Sequence, residues 1–273
     1  MPGRYEYILG DSDFEVRRLA FQAKVWRPMT EALFDRHGIG PGWRCLEVGP
    51  GTGTVLFPLA ARVRGRGGRV DAVERSPRYA EYLRRRSRSR RLRHVRVLEG
   101  ELLDVELPPE RYDLIFARWV FLFLPRVEEH LRRLAAALAP GGLLAIEDYH
   151  RDSMALYPRP ADWPSFILSD RAWFASQGGD LNIAARLPGL YRKVGLSPVE
   201  VVPHVQVGGP RSDVWKWAET YFLGYLDEIA RHPPFTAARA RRFRTEWLRA
   251  KKDRDALFVS PMILDVVGRK PGR

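Results

Sequence analysis

Five short apolar runs, at residues 43–48, 69–73, 95–98, 112–117 and 143–147, alternate with segments of helical periodicity, and few folds accept that alternation. Strands at this spacing, joined through helices, call for a parallel sheet covered on both faces. The punctuation agrees. A Gly-rich turn at 65–68 closes the helix of 55–63. Ser76-Pro77 opens the next one with an N-cap and a proline at its first position, and Pro140-Gly141-Gly142 stops the helix that starts near Pro125.

The flanks are helical. Ser12 and Glu15 form a capping-box pattern ahead of Leu19, Ala23 and Trp26, and Pro28 is expected to end that helix, with a second one from Met29 to Gly38. Residues 150–189 are less regular, and a helix is expected from Asp180 to Val194. A strand-like run at 199–207 follows, then helices capped by Ser212 and Thr236, and a last strand at 257–267 bulged at Pro261. We read one catalytic domain: a lead-in at 1–40, a ligand-binding core at 41–150, helical cap segments at 151–194 and 209–255, and final strands at 195–208 and 256–270. The fold class is α/β, a Rossmann-like seven-stranded, mostly parallel sheet with helices on both faces.

Composition narrows the function. No run approaches the length of a membrane helix, the first residues lack a secretory pattern, and the single cysteine, Cys45, allows neither an internal disulfide nor a cysteine metal cluster. A cytoplasmic setting without a metal is the expectation. The net charge of +13 raises the question of nucleic acid. The excess is mostly arginine spread along the chain, apart from residues 84–93, and we read that run as a solvated helix face, with RNA as the weaker alternative.

The segment Leu46-Glu47-Val48-Gly49-Pro50-Gly51-Thr52-Gly53 leaves a buried strand and opens a helix. There, bare backbone can approach a ligand, and helix-terminal N–H groups favour a carboxylate or phosphate. A dinucleotide turn wants G-x-G-x-x-G, but its sixth position here is Thr54. An acid two residues before the first glycine, Glu47, suits a ligand that carries an ammonium and lacks a pyrophosphate.

This segment resembles motif I of the class I S-adenosylmethionine-dependent methyltransferases, E/D-x-G-x-G-x-G, and the likeness continues in order along 41–148. It implies that Glu47, Gly49, Pro50, Gly51 and Gly53 meet S-adenosylmethionine, that Glu74, followed by Arg75, holds the ribose hydroxyls, and that Glu101-Leu102 stands at the adenine. Arg118, after the fourth strand, reads as a holder of the cofactor carboxylate or as half of an ion pair. The opening Tyr5 to Gly10 and the residues around Gln22 resemble the lead-in of the small-molecule branch, the ubiquinone/menaquinone-biosynthesis-like and natural-product enzymes, which implicates Tyr7 and Gln22 as well.

Absences point the same way. The Asp/Asn-Pro-Pro-Tyr of amino-group DNA enzymes is replaced by Ala117-Arg118-Trp119-Val120, and Cys45 lies in the wrong strand for a cytosine-C5 nucleophile. The expected partner is therefore a small-molecule acceptor methylated on O, N or C, with no membrane and with homodimerisation open. Trp119, Trp217 and Tyr221 are candidate pocket residues, each equally readable as core; Trp163, Phe166, Trp173 and Phe174 could join them. If the acceptor must lose a proton, Asp148, Tyr149 and His150 stand at the carboxyl end of the fifth strand, with His204 in reserve. RNA or protein methylation, or cofactor binding without catalysis, are the competing functions.

Overall fold

The computed structural model describes residues 9–10 and 12–272. At its centre β1 (Arg44–Val48), β2 (Arg69–Glu74), β3 (Val95–Glu99), β4 (Tyr112–Arg118) and β5 (Leu138–His150) lie in the order β3-β2-β1-β4-β5, all parallel. Two later strands, β10 (Met262–Arg269) and β7 (Ser197–His204), extend the sheet past β5 to seven, with β10 antiparallel to both neighbours.

The side-chain alternation of a strand explains why both faces must be covered. Leu114 and Phe116 of β4 face one core with Cys45, Ala72 and Ala145, while Ile115 and Ala117 face the other with Leu46, Val48 and Ile146. The first core is closed by the second half of α1 (Asp13–Arg36), by α2 (Leu56–Arg62) and by α3 (Pro77–Ser89). The other is closed by α4 (Val127–Ala137) and α6 (Ile183–Lys193). Cys45 is wholly buried, and burial pushes its thiol up. Of the arginine run, Arg84 pairs with Glu99 at 2.7 Å, Arg88 with Glu81 at 3.2 Å, and Arg90 lies 4.4 Å from the Phe57 ring centre.

Four local expectations change. Ser12 does cap α1, accepting from the Glu15 N–H at 3.3 Å, but the helix runs through Pro28 to Arg36. An interior proline costs about 3 kcal/mol. Burying Trp26, Met29, Leu33 and Phe34 on one continuous face, at roughly 1.5–3 kcal/mol each, exceeds that. The Pro140-Gly141-Gly142 stretch is a bulge inside β5 and not a loop: α4 ends at Ala137, Leu138 already pairs with Tyr112, and the register shifts before Leu114 pairs with Leu143. A Cβ on Gly142 would meet the Tyr112 carbonyl oxygen at 2.8 Å. The third change is in 150–189, which contains a further helix, α5 (Trp163–Ser176).

With α7 (Asp213–Ile229) and α8 (Ala237–Ala250), α5 forms a cap over the carboxyl ends of the strands, braced by a small sheet of β6 (Ala155–Tyr157), β9 (Leu257–Val259) and β8 (Val207–Gly208) in the order β6-β9-β8. The run expected as one bulged strand at 257–267 is therefore β9 and β10, in different sheets, with Ser260-Pro261 between them. Aromatic rings fill the cap: Phe166 stacks on Phe243 at 5.0 Å, and Trp215 packs on Trp247 at 4.6 Å. Among the described residues no helix is long and apolar enough to cross a membrane.

Candidate functional site

Between the carboxyl ends of the parallel strands and the cap lies a cavity of about 430 Å³. Ligands of open α/β sheets bind at this edge because the strand-to-helix turns converge there. At one end β1 runs into Gly49-Pro50-Gly51. Gly49 takes φ +65°, and a Cβ on it would stand 2.6 Å from Val120 Cγ2; Gly51 takes φ +55°, and a Cβ there would meet nothing nearer than Leu19 Cδ1 at 3.8 Å. The first glycine is thus needed by packing and backbone together, while the second leaves bare backbone against the cavity.

Two carboxylates flank this loop. Glu47 is only 3% exposed and its Oε2 has no hydrogen-bond partner among the described residues. Burial pushes its pKa up to about 8; Arg118 pulls it down, and Glu74 and Glu147 push it further up. Glu74, at the end of β2, accepts from the Gly51 N–H at 2.9 Å on one oxygen and from the Ser76 N–H at 2.8 Å on the other. Burial raises its pKa and those backbone bonds oppose the rise. An ionised carboxyl offers about four acceptor positions, so a carboxylate spending two on backbone can still take a pair of hydroxyls.

Arg118 closes the polar end. Its Nη1 donates to Thr30 Oγ1 at 2.9 Å and its Nη2 to Thr54 Oγ1 at 3.2 Å, while the Thr30 hydroxyl donates to Glu147 at 2.6 Å. Burial lowers its pKa, and Glu147 and Glu47 hold it up. The guanidinium lies 4.8 Å from the ring centre of Trp119, a residue held at φ +53° where a bulky side chain is strained.

From Trp119 outward the wall is aromatic. Trp119 stacks on Tyr149 at 5.7 Å, and Trp217 donates its indole N–H to Gln22 at 3.0 Å. The Tyr221 hydroxyl donates to Asp170 at 2.6 Å, and Met154, Phe174 and Phe258 complete this end. Two buried arginines stand among these rings. Arg18 makes 2.7 and 2.6 Å bonds to Glu15 and a 2.9 Å bond to Gln22. Arg151 donates through Nε to Asp170 at 2.9 Å and lies 4.3 Å from the Tyr221 ring centre.

Most of the residues singled out from the sequence meet at this cavity. Glu47, Gly49, Pro50, Gly51, Glu74, Arg75 and Arg118 line its polar end; Gln22, Trp119, Tyr149, Trp217 and Tyr221 line the rest. Five do not line it. Gly53 is a packing glycine, since a Cβ there would meet Phe57 at 2.5 Å and Leu83 at 2.7 Å. Leu102 is buried in the hydrophobic core, and Glu101 sits 3.6 Å from Arg75, outside the wall.

The other two change the reading of the fifth strand. Asp148 is buried beneath the segment after β4, accepting from the Leu122 N–H at 3.0 Å and the Tyr149 N–H at 2.9 Å, and burial raises its pKa to about 7. It shapes the loop and is turned from the cavity. His150 likewise stays out of the wall, and its carbonyl accepts from Ser153 Oγ at 2.7 Å. His204 is bound to Asp265 at 2.8 Å. The described wall therefore holds no histidine, and Tyr149, whose phenol burial pushes up, is the one group of the three that faces the cavity. Of the other expected aromatics, Phe174 lines it, whereas Trp163, Phe166 and Trp173 pack within the cap. Tyr7 lies outside the described residues. The sequence reading missed Arg151 with its partner Asp170, and the Thr30–Glu147 support of Arg118.

Comparison with known proteins fits this geometry. Residues 46–144 match a family model described as "Methyltransferase domain". Aklanonic acid methyltransferase DauC of Streptomyces sp. (strain C5) is 31% identical over 122 residues, which cover 45% of this chain and 55% of that protein. (S)-coclaurine N-methyltransferase of Thalictrum flavum subsp. glaucum is 23% identical over 243 residues, 88% of this chain and 56% of the relative. The chain thus spans about half the length of these curated relatives. Among solved structures, phosphoethanolamine N-methyltransferase 2 of Haemonchus contortus in complex with S-adenosyl-L-methionine superposes with a TM-score of 0.58 at 17% identity, over 90% of this chain and 53% of that one, a likeness of fold.

Proposed function

We propose that this chain, whose residues 46–144 match the methyltransferase domain model, is an S-adenosylmethionine-dependent enzyme that moves a methyl group to oxygen, nitrogen or carbon of an apolar or aromatic small molecule. The observation that carries the proposal is one cavity with two unlike ends. Its polar end has bare glycine backbone, an orphaned buried carboxyl and a carboxylate with spare acceptor positions; its other end is a wall of aromatic rings.

The donor set suits the cofactor part by part. Glu47 Oε2 would take the ammonium, Arg118 the cofactor's carboxylate beside the backbone of Gly49 to Gly51, and Glu74 the two ribose hydroxyls, with Arg75 alongside. When bound, the cofactor supplies an electrophilic methyl on a sulfonium, transferred as the acceptor's electron pair forms the new bond and the carbon–sulfur bond breaks toward sulfur. The protein's share is alignment and exclusion of water, which is where most of the acceleration of such a displacement lies. The strained Trp119, stacked on Tyr149 and packed near Trp26, gives the junction of the two ends a rigid floor. If the acceptor loses a proton in the reaction, Tyr149 is the wall residue to relay it; Asp148 and His150 are withdrawn from that role.

Small-molecule acceptors are favoured because the acceptor end is enclosed by cap helices, and because the relatives above are named for aklanonic acid and coclaurine. The chain is taken as one catalytic unit, acting in the cytoplasm, where its one buried thiol meets no oxidising pressure. Self-association would use the open edge at β7, where Val199 and Val201 are exposed. The test is incorporation of label from methyl-labelled S-adenosylmethionine across a panel of small aromatic and amine acceptors, run beside calorimetry of S-adenosylhomocysteine. Cofactor binding without transfer to any acceptor would leave a cofactor-binding protein; no binding at all would overturn the assignment.

A further inference from the structure

The acceptor end holds a buried cation that the displacement chemistry does not need. Arg151 begins the turn after β5, tied by its N–H to the Leu181 carbonyl at 3.1 Å, and is only 6% exposed. Its side chain lines the cavity between Tyr149 and Tyr221, at 5.8 and 4.3 Å from their ring centres. Of its three nitrogens only Nε is engaged, with Asp170 at 2.9 Å; Nη2 is buried with no partner among the described residues. An unsatisfied buried guanidinium N–H costs more than a neutral donor would, so its persistence in a cavity wall points to an occupant.

Charge identifies the occupant's chemistry. Asp170 is already shared, taking the Tyr221 hydroxyl at 2.6 Å as well as Arg151. The second buried cation of this end, Arg18, has its Nε and Nη2 on Glu15 and its Nη1 on Gln22. A monoanion can therefore dock on the open side of Arg151, while a dianion would find no second free cation there. The free ends of a guanidinium present parallel N–H groups that match the two oxygens of a carboxylate, and flanking aromatic rings favour a flat scaffold behind it.

We propose that the methyl acceptor carries a carboxylate on an apolar or aromatic scaffold, and that Arg151 anchors that carboxylate and so sets substrate specificity. This rests on the methyltransferase reading and adds to it the acceptor's charge. The anchored group is a handle: a carboxylate engaged by both guanidinium N–H groups has its lone pairs occupied and makes a poor nucleophile.

The experiment compares 2-naphthoate with its neutral isostere 2-naphthamide by calorimetry on the full chain, with and without saturating S-adenosylhomocysteine. Wild type should bind the acid at least tenfold more tightly than the amide. Arg151→Met with Asp170→Asn, a paired change that leaves no carboxylate unpaired, should abolish the preference and keep the affinity for S-adenosylhomocysteine. Should that variant not fold, Arg151→Lys keeps the ion pair but loses the fork, and should forfeit most of the preference. Equal or absent binding of acid and amide to wild type, or a preference that survives in the variants, overturns the inference. Failure of wild type to bind S-adenosylhomocysteine overturns the methyltransferase reading instead.

Discussion

Cofactor binding should be coupled to proton release through Glu47. In the free protein this carboxyl is fully buried, lacks a partner on Oε2 and has its pKa raised to about 8. A cofactor ammonium set against it requires the ionised form, so complexes formed well below pH 8 do so with loss of that proton. The apparent dissociation constant then rises toward a limit of about tenfold per pH unit well below 8, that limit being worth 1.36 kcal/mol per unit. Between pH 8 and pH 6 the expected weakening is roughly fifty-fold, the ratio of the protonation factors at the two values for a group titrating near 8. Titration calorimetry of S-adenosylhomocysteine in two buffers of different ionisation enthalpy reads the same event directly, as close to one proton released per ligand at pH 6.5. Glu47→Gln removes the titrating group while keeping its shape, and should bind weakly and independently of pH. A flat profile in wild type, or a slope that persists in Glu47→Gln, would refute the placement of the ammonium.

Glu74→Ala should weaken S-adenosylhomocysteine by about a hundredfold or more in calorimetry, the loss of two hydrogen bonds to a charged group at roughly 1.5–3 kcal/mol each. The glycines should separate by assay: Gly53→Ala drives a Cβ into Phe57 and Leu83 and should lower the melting temperature while the folded fraction still binds cofactor. Gly51→Ala has room for its Cβ but must hold it at φ +55°, so it should cost about 1–2 kcal/mol of stability from the backbone and, unlike Gly53→Ala, should also weaken cofactor binding in the folded fraction. Stability should depend on pH with a defined sign. Glu47, Glu147 and Asp148 all have native pKa values raised by burial, so their contribution is complete below about pH 4 and is lost as pH rises through about 7 and 8. Thermal melts should show that decline, and Glu147→Gln should flatten it and raise the melting temperature at pH 8.5.

The parallel core was legible in the sequence because its strands carry their own boundaries: Gly49 to Gly53, Ser76-Pro77 and the apolar run at 143–147 are local signals. Where the structure departs from local signals, tertiary burial outweighs local chemistry. Pro28 reads as a stop, yet the face formed by Trp26, Met29 and Leu33 continues past it. Helix α5 escaped notice because it is packed within the cap on more than one side, so its apolar residues do not fall on a single stripe. At the site, the motif residues were visible because their spacing is fixed by one strand and one turn. The acceptor end was not, since Asp170 meets Arg151 and Tyr221, and Gln22 meets Trp217, only after distant segments fold together. The cation that faces the cavity, Arg151, lies one residue beyond the expected strand-end group of Asp148, Tyr149 and His150. In a strand successive side chains alternate between faces, so Asp148 and His150 go one way and Tyr149 the other.

The place of β10 has a consequence for biosynthesis. It is wedged between β5 and β7, so the seven-stranded array has a gap in its interior until residues 262–269 have left the ribosome. Until then β5 presents a long unpaired edge to the cell, a hazard for misassembly during translation. Deleting those eight residues would remove a keystone and not a fringe, cutting β7 adrift from the strands that form the cofactor end.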